Sequence, residues 1–202
     1  MGRPETPKCI VYLVDDDLDM LKMLQALVDT IGLEARAFSS AEEFLAAYRA
    51  TPCECLVCDL RMPRIDGMEL QRRLAATGSA LPIIFLTGFA EVQVAVEAIK
   101  RGAFDFLEKP FRAQDLLGKI QSALELCRLQ YAKHSEDQSR MDRIALLTKR
   151  EREVVHHVLG GKSSREISDL LGIGLPTVEK YRAQIMEKLD VQSTVDLIKL
   201  FL

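Results

Sequence analysis

Three adjacent aspartates, Asp15, Asp16 and Asp17, follow the apolar run CIVYLV (9–14) with no basic residue among them. Carboxylates so close repel one another, by as much as about 4 kcal/mol for a near pair at an intermediate effective dielectric. A chain that keeps such a row at the end of a strand implies a positive partner for it. Three more chemistry-bearing residues recur in equivalent places: Asp59 after CLVC (55–58), Thr87 closing PIIFLT (82–87), and Lys109 after FDFLE (104–108). Four apolar runs that each deliver a polar or charged group at their carboxyl end suggest one shared site, built to hold and balance positive charge.

The elements that would position these groups follow from periodicity. Short runs rich in Val, Ile and Leu alternate five times with stretches of helical spacing, the pattern of a parallel sheet between two layers of helices. Leu18, Leu21, Leu24, Val28 and Ile31 form the apolar stripe of the first helix, which Gly32 stops, and Asp17 suits its N-cap. LEARAF (33–38) reads as the second strand, and Ser40 with Glu43 as the start of the second helix. Helices near 67–77 and 90–101 flank the fourth strand. In open sheets of this kind the functional crevice lies beyond the carboxyl ends of the strands, where Asp15, Asp16, Asp59, Thr87 and Lys109 all fall.

A length of 202 residues suits two cores better than one. The chain is 48% hydrophobic and 28% charged, a globular composition, and no apolar run approaches the roughly 18 residues that span a bilayer. The first residues lack the pattern of a secretory signal, which makes a cytoplasmic location the expectation. Cys9, Cys53, Cys55, Cys58 and Cys127 are an odd set. Strand geometry along CECLVC separates its side chains, so reduced thiols serving as small core residues are expected, with no cysteine metal site. Residues 1–125 carry 14 basic and 19 acidic side chains, 126–143 carry four and three, and 144–202 carry nine and eight. The tail is only slightly basic, so composition by itself does not announce nucleic-acid binding.

VDDD, CDLRMPRIDG, LTG and EKPF, in this order and spacing, resemble the receiver domains of two-component response regulators over residues 8–125. The resemblance implies a flavodoxin-like (βα)5 fold with a parallel five-stranded sheet. It makes Asp59 the phosphoacceptor, which takes a phosphoryl group from the phosphohistidine of a sensor histidine kinase. It also implies Mg²⁺ held by Asp15, Asp16, Asp59 and the backbone carbonyl of Arg61, with Lys109 on a phosphoryl oxygen and a cis peptide before Pro110. Such chemistry asks for charge neutralisation and positioning more than for a strong base. Thr87 and Phe106 become the switch pair: the hydroxyl moves toward the phosphoryl group, and the ring rotates into the space it leaves.

Helical spacing persists through Leu116, Leu117, Ile120, Leu124 and Leu126, then gives way to the polar KHSEDQSRMD. A receiver over 1–125, a linker over 126–143 that extends the last receiver helix, and a helical domain over 144–202 are expected. Within the tail, SSREISDLLGIG and LPTVEKYRAQIMEKLD read as a short helix, a glycine turn and a longer helix, the layout of a helix-turn-helix. Leu170, Leu171, Val178, Ile185 and Leu189 would be its core. LTKRE, GKSSREIS, TVEKYRAQIMEKL and STVDLI resemble the LuxR-type helix-turn-helix, and the two halves together the FixJ or NarL type of response regulator. That resemblance places Glu179, Lys180 and Ala183 toward bases, and Lys162, Thr177 and Arg182 toward phosphates, with Lys188 on the same helix.

The function implied is a phosphorylation-dependent transcriptional regulator that binds promoter DNA, works with RNA polymerase and forms a homodimer when phosphorylated. Val92, Val96, Ile99, Lys100 and Arg101 would contribute to the dimer face. A protein-interaction adaptor is the alternative. An aspartyl-phosphate enzyme would place a second acid two residues after the first, where this chain has Arg61, so no enzymatic activity is expected.

Overall fold

The computed structural model describes residues 7 to 88 and 92 to 201, the side chains of residues 92 to 95 excepted. The chain forms two compact units, Met1–Ala132 and Lys133–Leu202.

The first unit is a parallel sheet of β1 (Ile10–Val14), β2 (Glu34–Phe38), β3 (Glu54–Asp59), β4 (Ile83–Thr87) and β5 (Asp105–Glu108), in the order β2-β1-β3-β4-β5. The connecting helices are α1 (Leu18–Asp29), α2 (Ala41–Ala47), α3 (Gly67–Ala76) and α4 (Val92–Lys100), and α5 (Ala113–Ala145) follows β5. Every residue of β1, β3 and β4 is buried, which is why these strands are nearly continuous apolar runs rather than alternating ones. Their alternate side chains feed two cores. Tyr12, Leu56 and Phe85 pack with Phe44 and Leu70 on one face, and Leu13, Val57 and Ile84 pack with Leu24, Leu116 and Ile120 on the other. Edge strand β2 instead carries the Glu34–Arg36 ion pair.

Local chemistry fixes the helix starts. The Asp17 carboxylate accepts from the backbone N–H groups of Asp19 and Met20, Ser40 caps α2, and Asp66 caps α3. Leu18, expected on the buried stripe of α1, is 60% exposed. The buried face of α1 begins one turn later, at Leu21.

The second unit contains α6 (Lys149–Leu159), α7 (Ser164–Leu171), α8 (Leu175–Leu189) and α9 (Thr194–Phe201) after the end of α5. Thr148 with Glu151 and Ser163 with Glu166 form capping boxes, and Gly172 ends α7 in the left-handed region, at φ 64°. Val154, Val158, Ile167, Val178, Ile185 and Leu189 form the core. Leu170, expected among them, is 59% exposed. Ile167 holds the buried position on α7, and Leu171 only flanks the core.

The expectation of five reduced thiols is corrected: Cys9 and Cys53 form a disulfide, whereas Cys55, Cys58 and Cys127 are free. The bond runs between strands rather than along CECLVC. β1 and β3 are parallel neighbours with Ile10 opposite Glu54, which sets the preceding residues side by side. A cross-link between residues 44 positions apart restricts the unfolded chain by about 4 kcal/mol on a loop-entropy basis. Cys9→Ser is therefore expected to lower the unfolding free energy by up to about that amount. A dithiol reductant should bring the wild type down to the same midpoint and leave the variant unmoved. Denaturation midpoints unaffected by reductant would show that the bond contributes nothing.

Candidate functional site

The order β2-β1-β3-β4-β5 reverses direction between β1 and β3, and the carboxyl ends of these two strands are where Asp15 and Asp59 stand. Both are buried, at 1% and 8% exposure. Lys109, just beyond β5, reaches across β4 so that its Nζ lies 2.5 Å from Asp59 Oδ1 and 2.9 Å from Asp15 Oδ2. The remaining oxygens accept from the backbone: Asp59 Oδ2 from the N–H of Arg61 at 2.8 Å, and Asp15 Oδ1 from that of Asp17 at 2.9 Å.

One ammonium thus serves two carboxylates, and neither is fully compensated. Burial pushes the Asp59 carboxyl above its ordinary value, with the hydrogen bond from Lys109 pulling the other way. Burial alone would lower Lys109, yet its bonds to Asp59 and Asp15 hold the ammonium above its ordinary value. The three groups sum to one negative charge, and the exposed Asp16 beside them makes two. Hard oxygen donors with this surplus fit Mg²⁺. Asp16 does not converge with the other two: among the described residues no three His, Cys, Asp or Glu side chains are gathered as a metal cluster.

Thr87 is buried at 2% exposure, and its hydroxyl donates to the Gly88 carbonyl at 3.2 Å. Phe106 lies opposite Phe85 in the β4–β5 register and is half-buried against the core on that face. The Lys109–Pro110 peptide is cis. Val96 and Ile99 on α4 are exposed, whereas the side chain of Val92 lies outside the described residues.

One residue of the site escaped the sequence reading although its motif was quoted. A Cβ on Gly67 would lie 2.7 Å from the Asp59 carbonyl oxygen and 2.8 Å from Phe85 Cε1. The start of α3 can press against the end of β3 only because residue 67 has no side chain, and its N–H donates to the Leu60 carbonyl at 3.0 Å. MPRIDG contains the signal, since an acidic N-cap directly before glycine marks a helix start in close contact.

In the second unit the short α7, the turn through Gly172 and Gly174, and the longer α8 form a helix-turn-helix. The turn is held by a hydrogen bond from Ser168 Oγ to the Ile173 carbonyl at 2.6 Å. Lys162, Thr177, Glu179, Lys180 and Ala183 are exposed. Two of the basic residues expected at DNA make contacts within the unit. Lys188 Nζ pairs with Glu151 Oε2 at 2.8 Å and lies 3.5 Å from the Leu146 carbonyl, because the Glu151 carboxylate of the α6 capping box is buried at 3% exposure and requires a cation. Arg182 reaches from α8 to the start of α9 and donates to Thr194 Oγ1 at 3.2 Å. Arg143, also missed, closes the C-terminus of α8 by donating to the Leu189 carbonyl at 3.2 Å.

An acidic crevice at a switch point and a helix-turn-helix on the following unit define a regulator with one half for receiving a signal and one for reading DNA. The model of the response regulator receiver domain matches residues 11–121, and that of the bacterial regulatory proteins of the luxR family matches residues 145–201. The chain belongs to the response regulators, with a receiver domain followed by a LuxR-type DNA-binding domain. It is 43% identical to the transcriptional regulatory protein TdiR of Thauera aromatica, over 93% of this chain and 83% of that one. It is 38% identical to the transcriptional regulatory protein FixJ of Bradyrhizobium diazoefficiens, over 96% and 95%. The solved structure of the response regulator StyR superposes with a TM-score of 0.89 at 36% identity, over 96% of this chain and 98% of that one. Membership implies a histidine kinase as one partner and DNA as the other.

Two outcomes follow from the site. Gly67→Ala is expected to destabilise the first unit by about 1–3 kcal/mol through overpacking; unchanged thermal unfolding would contradict the close approach. In the metal-free protein, nuclear magnetic resonance should find Asp59 titrating above 3.8, its ordinary value, and higher still in Lys109→Met. A raised carboxyl pKa means that the folded chain holds this proton more tightly than the unfolded one. Its contribution to stability is therefore present below the ordinary value and lost as pH rises through the raised one.

Proposed function

We propose that Asp59 accepts a phosphoryl group from the phosphohistidine of a sensor histidine kinase and that this event controls DNA binding by the second unit. A carboxylate oxygen of Asp59 bonds to phosphorus as the bond from phosphorus to the histidine nitrogen breaks, giving an acyl phosphate. The single observation that carries this reading is the sharing of Lys109 between Asp15 and Asp59 at the switch point. It leaves a buried carboxylate positioned, under-compensated and next to an ammonium able to meet a phosphoryl oxygen.

Asp15, Asp16, Asp59 and the backbone carbonyl of Arg61 would hold Mg²⁺, which supplies neutralisation of the charge that gathers on the phosphoryl oxygens. Asp15 shapes the site from the strand beside Asp59, and Lys109 trades its bond with Asp59 for one with the phosphoryl group. Thr87, one strand away, donates its hydroxyl to the new oxygen, and the Phe106 ring follows it inward, repacking the face of α4 and β5. Val96 and Ile99, exposed on α4, then contribute to a homodimer interface. A two-fold dimer presents two copies of α8 to paired half-sites in promoter DNA, where the protein acts on RNA polymerase in the cytoplasm. Lys162 and Thr177 meet phosphates, and the N-terminus of α8, which has no side-chain cap, favours the same anion. No helix among the described residues is long and apolar enough to cross a membrane. Nothing in this scheme requires turnover of a separate substrate, and the chain acts as a regulator rather than an enzyme.

Incubation with acetyl phosphate and Mg²⁺ should add one phosphate to the wild type and none to Asp59→Asn, as read by intact mass. Phosphorylation should tighten binding to a target promoter by about tenfold, within the usual range of coupling between sites, and the variant should show no such gain. A phosphate on Asp59→Asn would move the acceptor elsewhere, and absence of DNA binding in every state would favour an adaptor.

A further inference from the structure

Burial along α8 decides which of its side chains can face a ligand. Val178, Ile185 and Leu189 are buried, whereas Pro176, Glu179, Lys180, Ala183 and Glu187 are exposed, a stripe at helical spacing on the outer face. Helix-turn-helix proteins read base edges with residues near the N-terminus of the second helix, which here are Glu179 and Lys180.

The charge of that face is unusual for a helix entering a polyanion. Of the two other basic side chains of α8, Lys188 is ion-paired with Glu151, whereas Arg182 donates to the neutral Thr194 hydroxyl and keeps its charge. What remains unpaired by an opposite charge is Lys180 and Arg182 against Glu179 and Glu187, a helix with no net positive charge to offer a polyanion. Neither Glu179 nor Lys180 has a side-chain hydrogen bond or ion pair among the described residues. Beyond the N-terminus of α8, phosphate attraction therefore draws on neighbouring groups such as Lys162 and Arg165, both exposed on or before α7. A carboxylate held among phosphates is repelled unless a base offers it a donor.

We infer that Glu179 is the specificity-determining residue of the DNA-binding unit and that it reads a cytosine in each half-site. In the major groove cytosine presents its N4 amino group as a donor, whereas adenine sets the N7 acceptor beside its N6 donor, guanine offers the acceptors N7 and O6, and thymine offers the acceptor O4. Only cytosine gives a carboxylate a donor without an adjacent acceptor. The outward side chains of α8 thus supply sequence discrimination and little net electrostatic affinity. The inference rests on the DNA-binding reading above.

The test is selection from a random duplex library with the phosphorylated full-length chain, as wild type, Glu179→Gln, Glu179→Ala and Lys162→Ala. Wild type should require cytosine at one position of each half-site. Glu179→Gln should change that preference to adenine, whose N6 and N7 match an amide, and Glu179→Ala should relax it by about tenfold. The slope of affinity against salt should stay the same in both Glu179 variants and fall by about 0.9 in Lys162→Ala. An unchanged preference at every position in Glu179→Gln would overturn the inference while leaving DNA binding intact. Failure of the wild type to bind DNA in any state would overturn the proposed function, and this inference with it.

Discussion

The first unit depends on an unequal division of charge, two buried carboxylates with one ammonium between them. Lys109 is what lets Asp15 and Asp59 approach at the mouth of the sheet, since without a cation their proximity in a poorly solvated crevice would be prohibitive. The compensation stops short of neutrality. A second lysine would have closed the site electrostatically; the single one leaves it with a net negative charge. The backbone bonds from Arg61 and Asp17 fix the orientation of each carboxylate, so the geometry belongs to the strand ends rather than to mobile loops.

Gly67 shows how far that geometry extends into the fold. The end of β3 is covered by the first turn of α3 at a distance no side chain would allow, with Asp66 capping the helix and the Gly67 N–H held by Leu60. Much of this was legible in the sequence. Fully buried parallel strands are continuous apolar runs, and groups placed directly after them must emerge along one edge, so the convergence of Asp15, Asp59 and Lys109 could be anticipated from order alone.

Features that depend on which strands are neighbours, or on which side of a helix faces inward, were less accessible. Cys9 and Cys53 lie far apart in the chain and next to each other only because β1 pairs with β3, whereas inspection of CECLVC considered cysteines along one strand. Leu18 and Leu170 are apolar residues near the edge of a stripe, where a turn of 100° separates core from solvent. Lys188 read as a surface base because the demand it meets, the buried carboxylate of Glu151, arises from tertiary packing of α6 against α8. A basic residue on a recognition helix carries no mark that distinguishes a phosphate partner from an internal one.

Three acids of this chain illustrate a single rule with different outcomes. Glu151 is buried with a lysine of its own, and its charge is spent on holding α6 to α8. Asp59 is buried with half a lysine, and the shortfall leaves negative charge at the crevice. Glu179 is exposed with none, and its demand can be met only by a donor supplied from outside. The extent to which a carboxylate is left unsatisfied within the fold distinguishes these acids more sharply than burial does, since Glu151 and Asp59 are both buried and only Glu151 has a lysine to itself.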